Sequence, residues 1–320
     1  MGPAPPRLAI TYANERLQDG AGAQLQRIYG IYAISRFLKV PYVHSPIESI
    51  GYQGLQALEN NAPFEDLPAE YNRVFHIPSD VDVPEKRATH DLEQADVEFI
   101  ETIKSSSSNG AEFNLIRILF PYGVTNRYPE IYRFAKAISP FQYRRSGAFR
   151  LAIHVRRGEL YVVDSHRMLP NSFYVSCALA LQEILGKLGI PFVCELYTEA
   201  ASKKFEVTPQ HHGISGRISQ NTIVDPAKDR LEDFDVIPNL KKYINLNPIE
   251  TLRRMATADA LVLSLSSFSV VAAILSPNGI ILSSSSLPFP MKDWLTWGED
   301  EKFPTVELVR RVLSWRRARS

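Results

Sequence analysis

Apolar and polar positions change period several times along this chain, and each change marks an element. Leu8 to Ala13 is an apolar run of strand length, closed off by the small residues of Asp19-Gly-Ala-Gly-Ala23. From about Gln24 to Lys39 the period becomes helical, with Ile28, Ile31, Ile34 and Leu38 on one stripe. Pro41 to Pro46 predicts a second short strand, so the opening reads as strand, glycine turn, helix, strand: a βαβ unit. From Glu48 to Pro140 the pattern is mostly helical, with helices expected near 89–104 and 128–139. The serine run Ser105–Ser108, before Asn109-Gly110, predicts a loop.

Gln142-Tyr-Arg-Arg-Ser-Gly147 is a polar break and divides the chain into expected domains 1–146 and 147–320. Beyond it the alternation is regular. Strands are expected over Phe149–Val155, Phe192–Tyr197, Thr222–Val224, Ala260–Ser264 and Gly279–Leu282. Helices are expected over Asn171–Leu188, Pro248–Thr257, Ser269–Leu275 and Val306–Arg317. Strands that alternate with helices imply a parallel sheet covered on both faces. Such sheets take ligands at the carboxyl ends of their strands. The expected class is α/β, as two such domains with a cleft between them.

Composition narrows the function classes. Hydrophobic residues are 45% and charged residues 22%, ordinary for a folded globular protein. A formal charge of +1 gives no global field that selects nucleic acid or an anionic membrane. With only Cys177 and Cys194 a disulfide framework is not expected, which favours a reducing compartment. No run approaches the roughly 20 apolar residues that span a bilayer. The chain therefore reads as soluble and cytoplasmic, or as a catalytic domain excised from a membrane-anchored enzyme.

Three places carry candidate chemistry. In His154-Val-Arg-Arg-Gly-Glu159 an apolar strand runs into two arginines. Arginine suits a diphosphate because its planar fork donates parallel hydrogen bonds and keeps its charge. Gly158 permits a sharp turn there; the alternative is a solvated Arg pair bridged to Glu159. In Ser264-Leu-Ser-Ser-Phe-Ser269 a strand delivers serines to a helix start, which makes either an anion site or plain N-capping. The third place is the Asp19–Gln24 turn. It lacks the third glycine of a dinucleotide fingerprint, yet Gly20 and Gly22 allow close backbone approach.

Together these segments resemble the ordered motifs of the α1,2/α1,6- and protein-O-fucosyltransferase superfamily. Gly20-Ala-Gly-Ala-Gln24 leads a helix, His154-Val-Arg-Arg-Gly-Glu159 is similar to the family's His-x-Arg-Arg-Gly-Asp, and Ser266-Ser-Phe-Ser269 to its last motif. Leu169-Pro-Asn-Ser-Phe-Tyr174 and Tyr197-Thr-Glu199 add to the likeness, which is densest over 149–285 and returns at 14–40. The resemblance implies a GT-B fold of two Rossmann-like domains facing each other across a cleft, the amino-terminal one on the acceptor side. It also implies GDP-fucose as donor, a glycan or protein acceptor, inversion, and neither cofactor nor metal. Arg156 would then hold the β-phosphate, supported by Arg157. His154 would lie near the nucleoside, and Ser266, Ser267 and Ser269 on phosphate oxygens. Gly20, Gly22, Gln24 and Glu199 complete the implied binding set. Glu159 stands where the family usually has Asp, which keeps the charge and changes its reach. The base that takes the acceptor's proton must face the departing GDP from the opposite side. Asp19 is its first candidate, Glu159 and Asp164 the rivals, and helix capping the alternative role for Asp19. Another nucleotide sugar, or nucleotide-sugar binding without turnover, are the competing functions.

Other features read as structure. Asp233-Phe-Asp235 sits in an acidic run and not at a strand end, which argues for a solvated charge cluster and not a metal signature. His211-His212 lacks further spaced ligands and reads as loop. Trp294, Trp297 and Trp315 read as packing. The arginines from Val309 to Arg319 make a basic amphipathic end, a solvated face with weak peripheral membrane contact as its alternative.

Overall fold

A computed structural model of the chain describes residues 7–14, 19–107, 112–143, 147–212, 217–277, 279–288, 290–298 and 303–318. It is α/β, in two compact units. One comprises Met1–Gly51 with Glu65–Pro140, the other Tyr52–Phe64 with Phe141–Ser320.

The first unit holds a three-stranded parallel sheet of β1 (Leu8–Tyr12), β2 (Arg87–Gln94) and β3 (Phe113–Phe120), in the order β1-β3-β2. The helix Ala21–Leu38 begins inside the expected glycine turn: Gly20 is its N-cap and Gly22 already lies in the first turn. It ends where Lys39 turns left-handed, φ 52°. The strand expected over Pro41–Pro46 is reduced to one parallel bridge, Tyr42 to Ile10, closed by the Pro41 carbonyl and Val43 N on Ile10, because beyond it His44 N turns to Ser79 Oγ. The expected helix near 89–104 splits. Arg87–Gln94 is an edge strand with alternate positions exposed, and the helix starts only at Val97. That helix runs through Ser107, so Ser105–Ser107 are helical where a loop was expected. Their hydroxyls bond back to carbonyls one turn earlier, a local substitute for loop geometry. Ser108, Asn109 and Gly110 lie outside the described residues, as do 15–18, 144–146 and 319–320.

The second unit is built on a six-stranded, all-parallel sheet, β11-β10-β9-β4-β5-β8. Its strands are β4 (Phe149–Val155), β5 (Phe192–Thr198), β8 (Leu240–Ile244), β9 (Ala260–Val262), β10 (Ile280–Ser284) and β11 (Leu295–Trp297). Thr222–Val224 (β7) is a strand as expected but lies outside this sheet, paired antiparallel with β6 (Phe205–Val207). The central strands are covered on both faces, and they read as unbroken apolar runs for that reason. Phe149, Leu151, Ile153 and Val155 pack with Tyr174, Cys177, Leu181 and Leu185 of the Asn171–Lys187 helix. Each such buried side chain stabilises by about 1.5–3 kcal/mol relative to exposure.

Trp294 and Trp297 are buried, and Trp315 meets Phe149 edge-on at 4.7 Å, so all three pack. The apolar stripe of the Thr305–Arg317 helix, Leu308 and Val312, is spent on this core. Among the described residues no helix is long and apolar enough to cross a membrane. The segment from Tyr52 carries a short helix, Leu55–Asn60, whose Leu55 and Leu58 cluster with Ala201, Val207 and Val224.

Candidate functional site

The sheet of the second unit sets the site. Val155 pairs with Thr198 and Ile153 with Val262, so β4, β5 and β9 end side by side at their carboxyl edge. The residues immediately beyond them are Arg156, Glu199 and the Leu263–Ser266 loop. His154 Nδ1 and Ser264 Oγ are 2.7 Å apart, which ties the ends of β4 and β9 together. The His154 ring also packs on Phe268, centroids 5.5 Å apart, in the first turn of the Ser267–Ile274 helix. Burial, and then the charge of Arg156, push the imidazole down to about 3, so it is neutral at physiological pH.

Arg156 lies in a cage. One arm of its guanidinium donates to Glu159 Oε2, the other is 3.6 Å from Glu199 Oε1, and its carbon sits 5.0 Å above the Tyr52 ring. Burial opposes the charge, but Glu159 and Glu199 outweigh it and raise the pKa. Tyr52 closes the ring of contacts. Its hydroxyl donates to Glu199 Oε2 at 2.7 Å and accepts from the Glu159 N–H at 3.2 Å. Burial and the Glu199 charge hold its own proton well above the usual phenol range. Gly158 adopts φ +59°, and a Cβ there would lie 2.5 Å from the Tyr52 hydroxyl. Only glycine fits the turn.

Arg157 points elsewhere and is buried, where the sequence suggested a partner to Arg156 on phosphate. It donates to the Arg156 carbonyl at 2.8 Å and to Asn171 Oδ1, and lies 3.8 Å from Asp229. Asp229 is itself buried, accepts the Tyr161 hydroxyl, and is pushed upward by burial, so the acidic run is not wholly solvated. Asp233 and Asp235 do face basic partners at its surface, Arg230 and Lys242. A pocket of about 440 Å³ borders Arg157 and is walled by Tyr161, Asn171, Lys228 and Arg230.

The serines divide. Ser266 caps the helix, its Oγ accepting from Phe268 N at 3.3 Å, and Ser267 is the first helical residue. Ser269 is fully buried and its hydroxyl is 3.1 Å from the Ser266 carbonyl, which suits it to bracing the loop more than to holding a ligand.

Asp19, Gly20, Gly22 and Gln24 belong to the first unit. Asp19 is ion-paired with buried Arg27, and Gly20 supplies the cap with no side-chain bond, so Asp19 does not cap the helix. Gln24 is buried and donates to the carbonyls of Asp19 (3.0 Å) and Ser49 (2.7 Å), holding two loops together. His211 takes Thr208 N at 3.0 Å, a loop contact.

Two residues of this edge escape motif reading. Tyr52 lies far upstream, and only the flanking Gly51 and Gly54 hint at a special turn. Arg167, on the 3₁₀ turn Ser165–Arg167, donates to the Leu265 carbonyl at 3.0 Å and so reaches the loop after β9.

No known family's sequence profile matches the chain, and no curated protein does. Among solved structures it is similar to E. coli heptosyltransferase WaaC with ADP, at 10% identity and TM-score 0.41, covering 98% of this chain and 100% of that one. It is also similar to POFUT1 in complex with GDP, at 10% identity and TM-score 0.36, covering 88% and 98%.

Proposed function

We propose that this chain is a GT-B glycosyltransferase that transfers a sugar from a nucleoside diphosphate donor, GDP-fucose on the motif resemblance, to a glycan or protein hydroxyl. The second unit takes the donor at the carboxyl edge of its sheet, and the first takes the acceptor. The acceptor oxygen attacks the anomeric carbon, the bond to the β-phosphate oxygen breaks, and the diphosphate departs with the electron pair. The acceptor's proton passes to a carboxylate. Growing charge on the diphosphate calls for hydrogen-bond donors, which the Ser266–Ser267 helix start and, once released from Glu159, Arg156 supply.

The single observation that supports this reading is the 2.7 Å His154–Ser264 bond. It joins the two motifs of the resemblance, distant in sequence, at the edge where parallel sheets take ligands. The cage around Arg156 favours the competing reading, nucleotide-sugar binding without turnover, since a guanidinium held by two carboxylates must be released to act.

The test is thermal unfolding of the chain with GDP, GDP-fucose, UDP and ADP, with and without EDTA, followed by product detection on glycan and protein acceptors. A ligand at about a hundred times its Kd adds roughly 2.7 kcal/mol to the folded state. Stabilisation by GDP and GDP-fucose that survives EDTA is expected. Preference for UDP, or loss with chelator, removes the GDP-fucose assignment. Binding without product on any acceptor selects the binding protein.

A further inference from the structure

We propose that Arg167 is the arginine that grips the donor's diphosphate on binding, while Arg156 is held in reserve. This rests on the nucleoside diphosphate reading above.

Three arginines stand at the end of β4 or on the segment that follows it, and two are already committed. Arg156 has Glu159 on one arm, Glu199 near the other and Tyr52 beneath. Arg157 is 5% exposed and engaged by the Arg156 carbonyl, Asn171 and Asp229. Arg167 differs in each respect. It is exposed, and among the described residues it has no carboxylate partner and its guanidinium donates to the Leu265 carbonyl alone. A guanidinium has five N–H donors, so most of this fork stays open to an anion.

Its position is fixed. Arg167 N donates to the Asp164 carbonyl at 3.2 Å and Met168 N to the Ser165 carbonyl at 3.1 Å, closing the 3₁₀ turn that presents the side chain. Leu265 directly precedes Ser266, the cap of the Ser267–Ile274 helix, so the bond holds the cation against the loop that starts this helix. The loop itself is braced from below: His154 is nine-tenths buried, packs on Phe268 of that first turn and is bonded through Nδ1 to Ser264. An open cation and the helix start meet on one loop, which His154 braces through Ser264. A diphosphate is the ligand class that uses both, through its charge and its several acceptor oxygens.

The division of labour has a physical basis. An arginine that must shed Glu159 before it meets phosphate contributes little to ground-state affinity, whereas one that is already open contributes at once.

The test compares Arg167→Ala, Arg167→Lys and wild type by calorimetric titration with GDP and with GMP, alongside thermal unfolding without ligand. Arg167→Ala should weaken GDP at least tenfold and GMP less, Arg167→Lys should recover part of the loss, and the unliganded midpoint should stay put because the side chain is exposed. Wild type that binds GDP with Arg167→Ala binding it equally overturns this assignment and leaves the donor reading standing. Equal losses for GDP and GMP, or a lowered unliganded midpoint, also overturn it. Wild type that binds none of the nucleoside diphosphates removes the donor reading itself.

Discussion

Tyr52 lies so close to Gly158 that a single added carbon on the glycine would stand 2.5 Å from the phenol oxygen and 2.6 Å from Glu199 Oε2. Gly158→Ala therefore meets two penalties, a left-handed φ of +59° and an overlap with the buried Tyr52 hydroxyl and the Glu199 carboxylate. The expected loss is about 2–4 kcal/mol in denaturant unfolding. Tyr52→Phe removes the overlapping oxygen, so the double variant should lose less than the sum of the two singles. Strict additivity would mean that the turn tolerates Cβ without moving Tyr52.

Arg156 and Glu159 are ion-paired within the cage, which explains why the two arginine variants should differ. Arg156→Ala strands Glu159, only 7% exposed, so a stability loss is expected together with a fall in transfer of at least about a hundredfold, the usual size for removing one preorganised donor. Arg156→Ala with Glu159→Gln removes the stranded charge and should restore folding but not transfer. Arg156→Lys should not restore transfer fully, because a point charge cannot serve a forked site. The effect belongs in kcat more than in donor affinity, the reverse of Arg167. Normal transfer in the folded double variant would make the cage purely structural.

How much of this was readable in the chain depends on what each element buries. β4, β5 and the Asn171–Lys187 helix announce themselves because all-parallel strands carry continuous apolar runs, and their helix keeps one apolar stripe. Arg87–Gln94 is an edge strand whose Arg87, Asp91 and Glu93 face out, and polar alternation of that kind is easily taken for a helix face. Leu240–Ile244 is hidden in the same way by Lys241 and Lys242. At the site, the motif segments gave His154, Arg156 and Ser266 by type and spacing. What they did not give was partnership. That Arg157 turns to Asn171, and that Tyr52 seals the Arg156 cage, are facts of packing between segments, and no local pattern encodes them.

Asp19 faces a choice between chemistry and structure. Its carboxylate is the only anionic partner of Arg27 among the described residues, and Arg27 is 4% exposed with its Nε unpaired. The Asp19 side chain is itself 39% exposed, so solvent screens the pair. Asp19→Asn should cost about 1–2 kcal/mol, less than a fully buried pair. If Asp19 is the base, Asp19→Asn also abolishes most transfer while GDP affinity stays within a few-fold. Normal turnover in Asp19→Asn, with loss in Glu159→Gln, assigns the proton to the second unit.

His154 makes the stability of the fold depend on pH. Burial, reinforced by the Arg156 charge, lowers its pKa from 6.5 to about 3, so the folded protein refuses a proton that the unfolded chain accepts. Wherever the unfolded state binds more protons, stability rises with pH. The stabilising difference is therefore fully present above about pH 6.5 and is lost progressively as pH falls toward 3. The slope approaches about 1.4 kcal/mol per pH unit for one such group. His44 in the first unit, lowered to about 4 by burial and by His76, adds a similar slope of its own. Wild type alone cannot separate the two, but His154→Gln can, because it removes one titration and leaves His44 in place. Urea unfolding at pH 6.5 and at about pH 5 should show wild type losing roughly 1–2 kcal/mol more than His154→Gln over that interval. Equal losses would mean that His154 takes its proton in the folded protein. The ring would then be charged beside Arg156, the Ser264 bond could run only from imidazolium to hydroxyl, and the neutral hinge between the β4 and β9 ends would have to be abandoned.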